Sequence, residues 1–301
     1  MEYLKHYEKN FNDLSKFSNT DSLKQESFNY FFKSGFPIKK KGDERWKYLD
    51  LRSLEKTLYT TDYDSNLNID LSTIGLDKTN TISVNNGVPR YEKFDGINVL
   101  SNESYTPIVN VDEDEFLSLN TSLSSKHLLL KVNSEFNGKV LNIVYYGDSN
   151  KEILECPRIY IDIEQNVEIT INEIFISSKA VTLKLPVIEM VLNKKSKVLH
   201  NLVFQSSFSE NNFKFTRIDQ KEGSFYKLTS FSNSSLLAAN DIKVSLNGKN
   251  SECDLKGLYF TTLNSQFNTH VVVEHNVPYT KSNQYFKGIL SDNSRAVFSG
   301  K

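Results

Sequence analysis

The chain has 301 residues, with Lys+Arg 36 against Asp+Glu 37 and a formal net charge of -1. That length suits two domains or one long repeat domain, and it allows a core that needs no disulfide or metal staple. The balanced charge lacks the basic footprint of a nucleic-acid binder, and a hydrophobic content of 38% is too high for a disordered chain.

The first 60 residues read as helix. Leu4, Tyr7, Phe11, Leu14 and Phe17 recur at three- and four-residue steps, which places them on one face. A second helix begins near Asp21 or Ser22, either of which can cap exposed N–H groups, and carries Leu23, Phe28, Phe31 and Phe32. Gly35-Phe36-Pro37 stops it, and a third helix is expected over Leu51–Leu58. Between them the run Lys39-Lys40-Lys41 is answered by Asp43 and Glu44 and reads as a solvated loop. Thr60–Lys78 is polar and reads as a linker. Short strands are expected near Thr81–Val84 and Ile97–Leu100, and a helix over Glu113–Leu119.

After Lys126 the period becomes two. Ile159, Ile161 and Ile163 alternate with Tyr160 and Asp162, and Val167, Ile169 and Ile171 alternate with Glu168 and Thr170. Polar turns at Glu164-Gln165-Asn166, Asn193-Lys194-Lys195, Asp219-Gln220-Lys221, Asn247-Gly248-Lys249 and Glu274-His275-Asn276 recur roughly every 27–29 residues, a solenoid spacing. Strands enter the turns at Arg158–Ile163, Pro186–Leu192, Asn240–Leu246 and Thr269–Val273. Others leave at Val167–Ile176, Val198–Phe204, Ser224–Phe231 and Asp254–Phe260. No helical segment lies between them, which excludes βαβ crossovers. The expected fold is mainly β: a right-handed parallel β-helix of two-strand coils after an N-terminal α-helical region. The expected divisions are a helical region 1–60, a mixed segment 61–125 and a β-helix core 126–301. The third repeat fits worst, because Arg217 and Asp219 fall where neighbouring repeats carry apolar residues.

The sequence holds no GxGxxG, P-loop, GxSxG or HExxH. None of His6, His127, His200, His270 and His275 stands three or four residues from a second His or a Cys. His200 falls in phase with Ile171 and is expected inside, hydrogen-bonded, rather than on a metal. Cys156 and Cys253 form no CxxC pair and read as small buried hydrophobes. Asp162, Glu164, Glu168 and Asp219 are outward carboxylates, the residue type that β-helix lyases and glycosidases use, but no second outward column of Asp, Arg or Lys accompanies them. No catalytic, cofactor-binding or metal residue is therefore assigned. The N-terminus lacks the apolar stretch of a signal peptide and no run approaches 18 apolar residues, so a cytoplasmic protein is expected.

Two stretches carry a resemblance. The first is Gly35-Phe36-Pro37 followed by Glu44-Arg45-Trp46-Lys47-Tyr48-Leu49-Asp50-Leu51, with the sole Trp expected to wedge two helices together. The second runs from Leu255-Lys256-Gly257-Leu258-Tyr259-Phe260 through His275-Asn276-Val277-Pro278 and Ser282-Asn283-Gln284-Tyr285-Phe286-Lys287-Gly288-Ile289-Leu290 to Arg295-Ala296-Val297-Phe298-Ser299-Gly300-Lys301. Leu117-Ser118-Leu119-Asn120 is a weaker third element. Together they resemble the SufB/SufD family of iron–sulfur cluster assembly proteins, SufD more than SufB. Leu49 stands where the family usually has Thr, Ala239-Asn240 where it often has Arg, and Asn268 where it often has Asp. The resemblance implies a scaffold and not an enzyme. Its partners would be a SufB-like subunit and the SufC ATPase, with no cofactor on this chain alone and the nascent Fe–S cluster handled by the full complex. It also implies that the family's cluster ligands and its C-terminal helical, SufC-docking part lie beyond Lys301. A chain ending at Lys301 is then expected to expose strand edges, self-associate there and fail to recruit SufC. A SufB-like cluster-building paralogue and a β-helix carbohydrate-active enzyme are the alternatives.

Overall fold

The computed structural model describes residues 2–14, 22–38, 45–62, 66–100, 106–110, 112–177, 180–233 and 236–301. Phe17, Asp21, Lys39–Lys41, Asp43, Glu44 and Ser178, which figure in the sequence reading, lie outside the described residues.

The chain opens with α1 (Glu2–Leu14) and α2 (Ser22–Ser34), whose buried faces carry Leu4, Tyr7, Phe11, Leu14, Phe28 and Phe31. Gly35 ends α2 at φ +67, and its N–H bonds to the Phe31 carbonyl at 2.7 Å. The expected third helix is not formed: Leu51–Ser53 is a single 3₁₀ turn, capped by Asp50. Then follow β1 (Thr81–Asn85), β2 (Val88–Tyr91) and β3 (Ile97–Val99). The helix α3 (Glu115–Leu123) starts two residues later than expected, because the Asp114 side chain accepts from the N–H groups of Phe116 and Leu117.

The coils comprise β4 (His127–Val132), β5 (Val140–Tyr146), β6 (Ile153–Glu155), β7 (Arg158–Ile163), β8 (Glu168–Phe175) and β9 (Thr182–Lys184). They continue with β10 (Val187–Leu192), β11 (Lys197–Gln205), β12 (Glu210–Gln220), β13 (Phe225–Asn233) and β14 (Leu237–Leu246). The last are β15 (Glu252–Thr261), β16 (Gln266–His275), β17 (Lys281–Leu290) and β18 (Arg295–Gly300). They wind into a parallel β-solenoid of about six turns. One sheet has the order β17-β15-β13-β11-β8-β5-β1-β2, and the second β18-β16-β14-β12-β10-β7-β4-β3. Two coils depart from the two-strand pattern. Pro157 and Pro186 interrupt the ladder, so short β6 and β9 precede β7 and β10, whereas β12 runs unbroken and pairs with both β9 and β10.

The lumen is a filled core in which like residues stack from coil to coil. Ile159, Ile188, Ile161, Met190, Ile163 and Leu192 line one wall, and Tyr145, Phe175 and Phe204 form an aromatic ladder with ring centroids 4.2 and 4.8 Å apart. The turns repeat as closely. Asn166, Lys195, Gly223 and Asn250 each hold a φ of 58–65°, and each donates or lies next to a bond to the adjacent coil's turn. An outward Asn ladder, Asn201 to Asn172 to Asn142, runs at 3.0 Å per step.

The register of β12 differs from the sequence reading. Thr216, Ile218 and Gln220 pair with Ile188, Met190 and Leu192 and face inward, while Arg217 pairs with Glu189 and Asp219 with Val191 on the outer side. Both faces of β12 are buried, the outer one because the N-terminal segment covers it, and Lys214, Thr216 and Gln220 face inward while Phe213 and Phe215 face outward, so hydrophobic alternation gives the wrong parity there. That covering layer shares a single cluster with the solenoid: Tyr7, Phe31, Trp46, Phe116 and Leu119 pack with Leu183, Phe213, Phe215 and Leu237.

Candidate functional site

A charged cluster sits inside the solenoid. Alternation along β8 sends Ile169, Ile171 and Phe175 inward, and Glu173 has the same parity. His200 pairs with Ile171 on one side and Leu228 on the other, so it also points into the lumen. Glu173 Oε2 accepts from His200 Nε2 at 2.9 Å and lies 3.1 Å from Lys214 Nζ. His200 Nδ1 lies 2.9 Å from the Tyr226 hydroxyl; with the imidazole neutral and its proton on Nε2 toward Glu173, Nδ1 accepts from that hydroxyl. Lys214 also donates to Thr216 Oγ1 at 2.6 Å. Burial alone would raise the Glu173 pKa, but the Lys214 ammonium and the His200 bond hold it down to about 2. Burial pulls His200 below its ordinary value despite Glu173. All four side chains are sealed from solvent, so the arrangement holds charge and proton positions but admits no substrate.

The sequence reading placed His200 here and missed Glu173 and Lys214. Parity was the available signal: Glu173 stands two and four residues from inward Ile171 and Ile169, and its charge argued the wrong way.

Cys253 follows Tyr226 in its column and Cys156 lies under α3, 4.0 Å from the Leu119 carbonyl. Both are buried free thiols. Burial pushes Cys253 up to about 12 and Cys156 well above the ordinary range, so neither is a thiolate at neutral pH.

The outer face of the second sheet carries a second buried network, under the N-terminal layer. Trp46 Nε1 donates to Asp114 Oδ2 at 2.7 Å, and its ring meets Phe116 and Phe213 edge-on at 5.0 and 5.6 Å. Trp46 thus joins α3 to β12 and does not wedge two N-terminal helices. Arg45 lies 3.8 Å from both Asp114 and Asp241, and Asn268 donates to its carbonyl at 3.0 Å. Burial, with the nearby Asp241 and Glu115 carboxylates, raises Asp114 to about 7 against the pull of Arg45. Arg217 bridges Asp241 at 2.7 Å and Glu113 at 2.8 Å. Arg158 pairs with Glu189 at 2.7 Å on this face, whereas Lys184 and Glu210, 2.8 Å apart, have the parity opposite to outward Leu183 and Phe213 and lie on the inner side of the sheet. Asn120 donates to the carbonyls of Pro157 and Leu185, at 3.0 and 2.6 Å, where the prolines break the strands. Two of the stretches that carry the family resemblance, those holding Trp46 and Asn120, therefore meet on this face; of the longest, β18 joins this sheet, whereas β15 and β17 belong to the first.

The outward carboxylates do not converge. Asp162 accepts from Asn193 at 2.6 Å and Asp219 pairs with Lys221 at 2.6 Å. Glu164 pairs with Lys131 at 3.2 Å and Glu168 with Lys197 at 3.4 Å. Two grooves, of about 770 and 810 Å³, are lined by residues between 66 and 92 and by Ile38, Tyr48, Asp50, Gln266 and Arg295 among others; none of the four carboxylates lines either, and Glu168 alone lines a third, of about 490 Å³. Among the described residues, no group of three or more His, Cys, Asp or Glu is placed to hold a metal ion. No helix among them is long and apolar enough to cross a membrane.

Residues 145–301 match the family model described as "SUF system FeS cluster assembly, SufBD core domain". The matched span begins at the end of β5 and takes in β6 to β18. A curated relative, "Protein ABCI7, chloroplastic" of Arabidopsis thaliana, is 26% identical over 158 residues, which is 51% of this chain and 33% of that protein. The chain thus spans about a third of the length of the curated relative it matches.

Proposed function

The chain belongs to the SufBD core family of the SUF system for FeS cluster assembly, and from that membership we propose that it is a SufD-like scaffold subunit. The observation that carries the reading is the coincidence of the family span with a solenoid whose lumen is filled. Side chains and ion pairs fill the interior, the four outward carboxylates are each engaged with a separate partner, and the two thiols are protonated and enclosed. The reading assigns no catalytic step to this chain. It assigns a SufB-like subunit and a SufC-like ATPase as partners, the nascent Fe–S cluster as cargo of the assembled complex, and a cytoplasmic setting. Within it, 1–60 is a helical region, 61–125 a mixed segment and 126–301 the β-helix core.

The second reading is a SufB-like paralogue that builds the cluster itself. The Trp46-Lys47-Tyr48 segment favours SufD. Anaerobic reconstitution with ferrous iron and sulfide separates the two. A SufD-like chain alone gains no Fe–S absorption, and a SufB-like partner added to it does. A stable cluster on this chain alone assigns it to the SufB side.

A further inference from the structure

We propose that the solvent face of the first sheet is a docking surface for an acidic amphipathic helix of a partner protein, an interaction beyond the scaffold reading above. The outward columns of a solvated strand face are ordinarily polar, as Asn172, Asn201 and Thr229 are here. The next column is not. Ile174, Val203, Phe231 and Leu258 stand side by side on β8, β11, β13 and β15. Val203, Phe231 and Leu258 are 38%, 42% and 38% exposed. Phe260 and Ile289, paired on β15 and β17, extend the patch by one column. A contiguous apolar patch of this kind on a folded surface marks a contact site.

The fold shows how it covers such a face elsewhere. On the second sheet the outward Phe213 and Phe215 lie beneath α3 and Trp46, with Phe116 of α3 stacked on Phe213 at 4.3 Å. On the first sheet the stripe stands uncovered at Val203, Phe231 and Leu258. Geometry favours the same kind of occupant. Neighbouring strands are about 4.8 Å apart, close to the helical pitch of about 5.4 Å. A helix crossing the strands sets one apolar side chain of an i, i+3, i+4, i+7 seam over each strand.

Charge selects the flanks of that helix. The stripe and the columns on either side contain Lys256 and Lys287 and no carboxylate. Lys256 shares Asp254, one column further out, at 2.9 Å, and Lys287 lies over the Tyr285 ring at 5.5 Å. Lys227 adds a third cation near Asp254. Acidic flanks on the incoming helix satisfy the excess lysines. A second copy of this chain brings lysines and no carboxylate to the same contact.

The test uses a labelled designed helix with Leu along one i, i+3, i+4, i+7 seam and Glu on both flanks, titrated against the full chain by fluorescence anisotropy. The same peptide with Lys flanks, and phosphatidylcholine vesicles with and without phosphatidylserine, are run in parallel. The Glu peptide is expected to bind, at least tenfold more tightly than the Lys peptide. Phe231→Ser and Leu258→Ser weaken it at least tenfold, Lys287→Glu weakens it and favours the Lys peptide, and Tyr279→Ser, outside the stripe, changes nothing. Far-UV circular dichroism verifies that each exposed-site variant is folded. Equal binding of both peptides, or binding untouched by Phe231→Ser, overturns the proposal. Stripe-dependent vesicle binding reassigns the face to lipid, and a dimer that Phe231→Ser dissolves reassigns it to a second copy; either result also overturns it.

Discussion

Replacing Lys214 by Met tests whether the lumen cluster is an ion pair that the fold depends on. Glu173 is held at about 2 against an ordinary 4.5, a difference that corresponds to about 3 kcal/mol favouring the ionised folded state at neutral pH. Met keeps most of the volume of Lys214 and removes the charge at 3.1 Å. The carboxylate is then buried with only His200 to oppose its desolvation, and the expected loss at pH 7 is about 3–5 kcal/mol. Pairing the substitution with Glu173→Leu removes both charges and should return most of that loss, because a buried pair replaced as a whole is often neutral. The pH dependence gives a signed check. In the wild type the depressed Glu173 pKa contributes stability that is complete above about 4.5 and is lost as pH falls toward about 2. In Lys214→Met the pKa lies above its unfolded value, so protonation relieves the folded state and stability is regained as pH falls below 7. His200, lowered by burial and also by Lys214, costs the wild type stability below about 6.5; removing Lys214 relieves part of that cost, so this term narrows the gap in the same direction. Urea unfolding of both proteins from pH 7 to pH 4 should show the gap narrowing. A loss under about 1 kcal/mol, or a gap constant with pH, refutes the reasoning.

Trp46→Phe keeps an aromatic ring against Phe116 and Phe213 but strands Asp114, and should cost about 1–3 kcal/mol in urea unfolding. In the wild type, the fluorescence of this sole Trp and the strand signal in circular dichroism should change in one transition, because the layer and the solenoid share one core; an earlier Trp transition contradicts that. A Cβ on Gly248 would meet the backbone of Lys221 and Glu222 in the adjacent turn, so Gly248→Ala should lose about 1–3 kcal/mol or more, whereas Gly138→Ala, with open space at its Cβ, pays only its φ of +75. Cys156 and Cys253 should resist Ellman's reagent in the native protein and react fully in urea; fast native reaction at either places that thiol at the surface.

The coils were legible because one period governed them. The alternation of Ile159, Ile161 and Ile163 shows which side faces in, and Asn166, Gly223 and Asn250, residue types tolerant of positive φ, stand in the turns, with Lys195 at the equivalent position as the exception. Alternation carries no such information where both faces of a strand are covered. Phe213 and Phe215 face the N-terminal layer and Ile218 the lumen, so β12 carries apolar residues in both parities and its register was misread. The expected helix over Leu51–Leu58 failed for a tertiary reason: Leu51, Leu54 and Tyr59 are drawn into the shared core from a turn, not from one helical face. The Trp46–Asp114 bond spans 68 residues and the Asn268–Arg45 bond 223, distances over which no local pattern operates. The lumen cluster was half visible, through His200, and the parity of Glu173 would have completed it.

We propose a scaffold role for this solenoid in an assembly complex. Its most direct test is native mass spectrometry of the tagged protein co-expressed with the SufB-like and SufC-like proteins of the same genome. One copy of this chain is expected with one SufB-like subunit, and with the SufC-like ATPase held through that subunit, in a single complex. That complex should persist in Lys287→Glu, whose effect is confined to the separate stripe. Recovery of this chain free of both partners, while the SufB-like and SufC-like proteins assemble without it, would contradict the account.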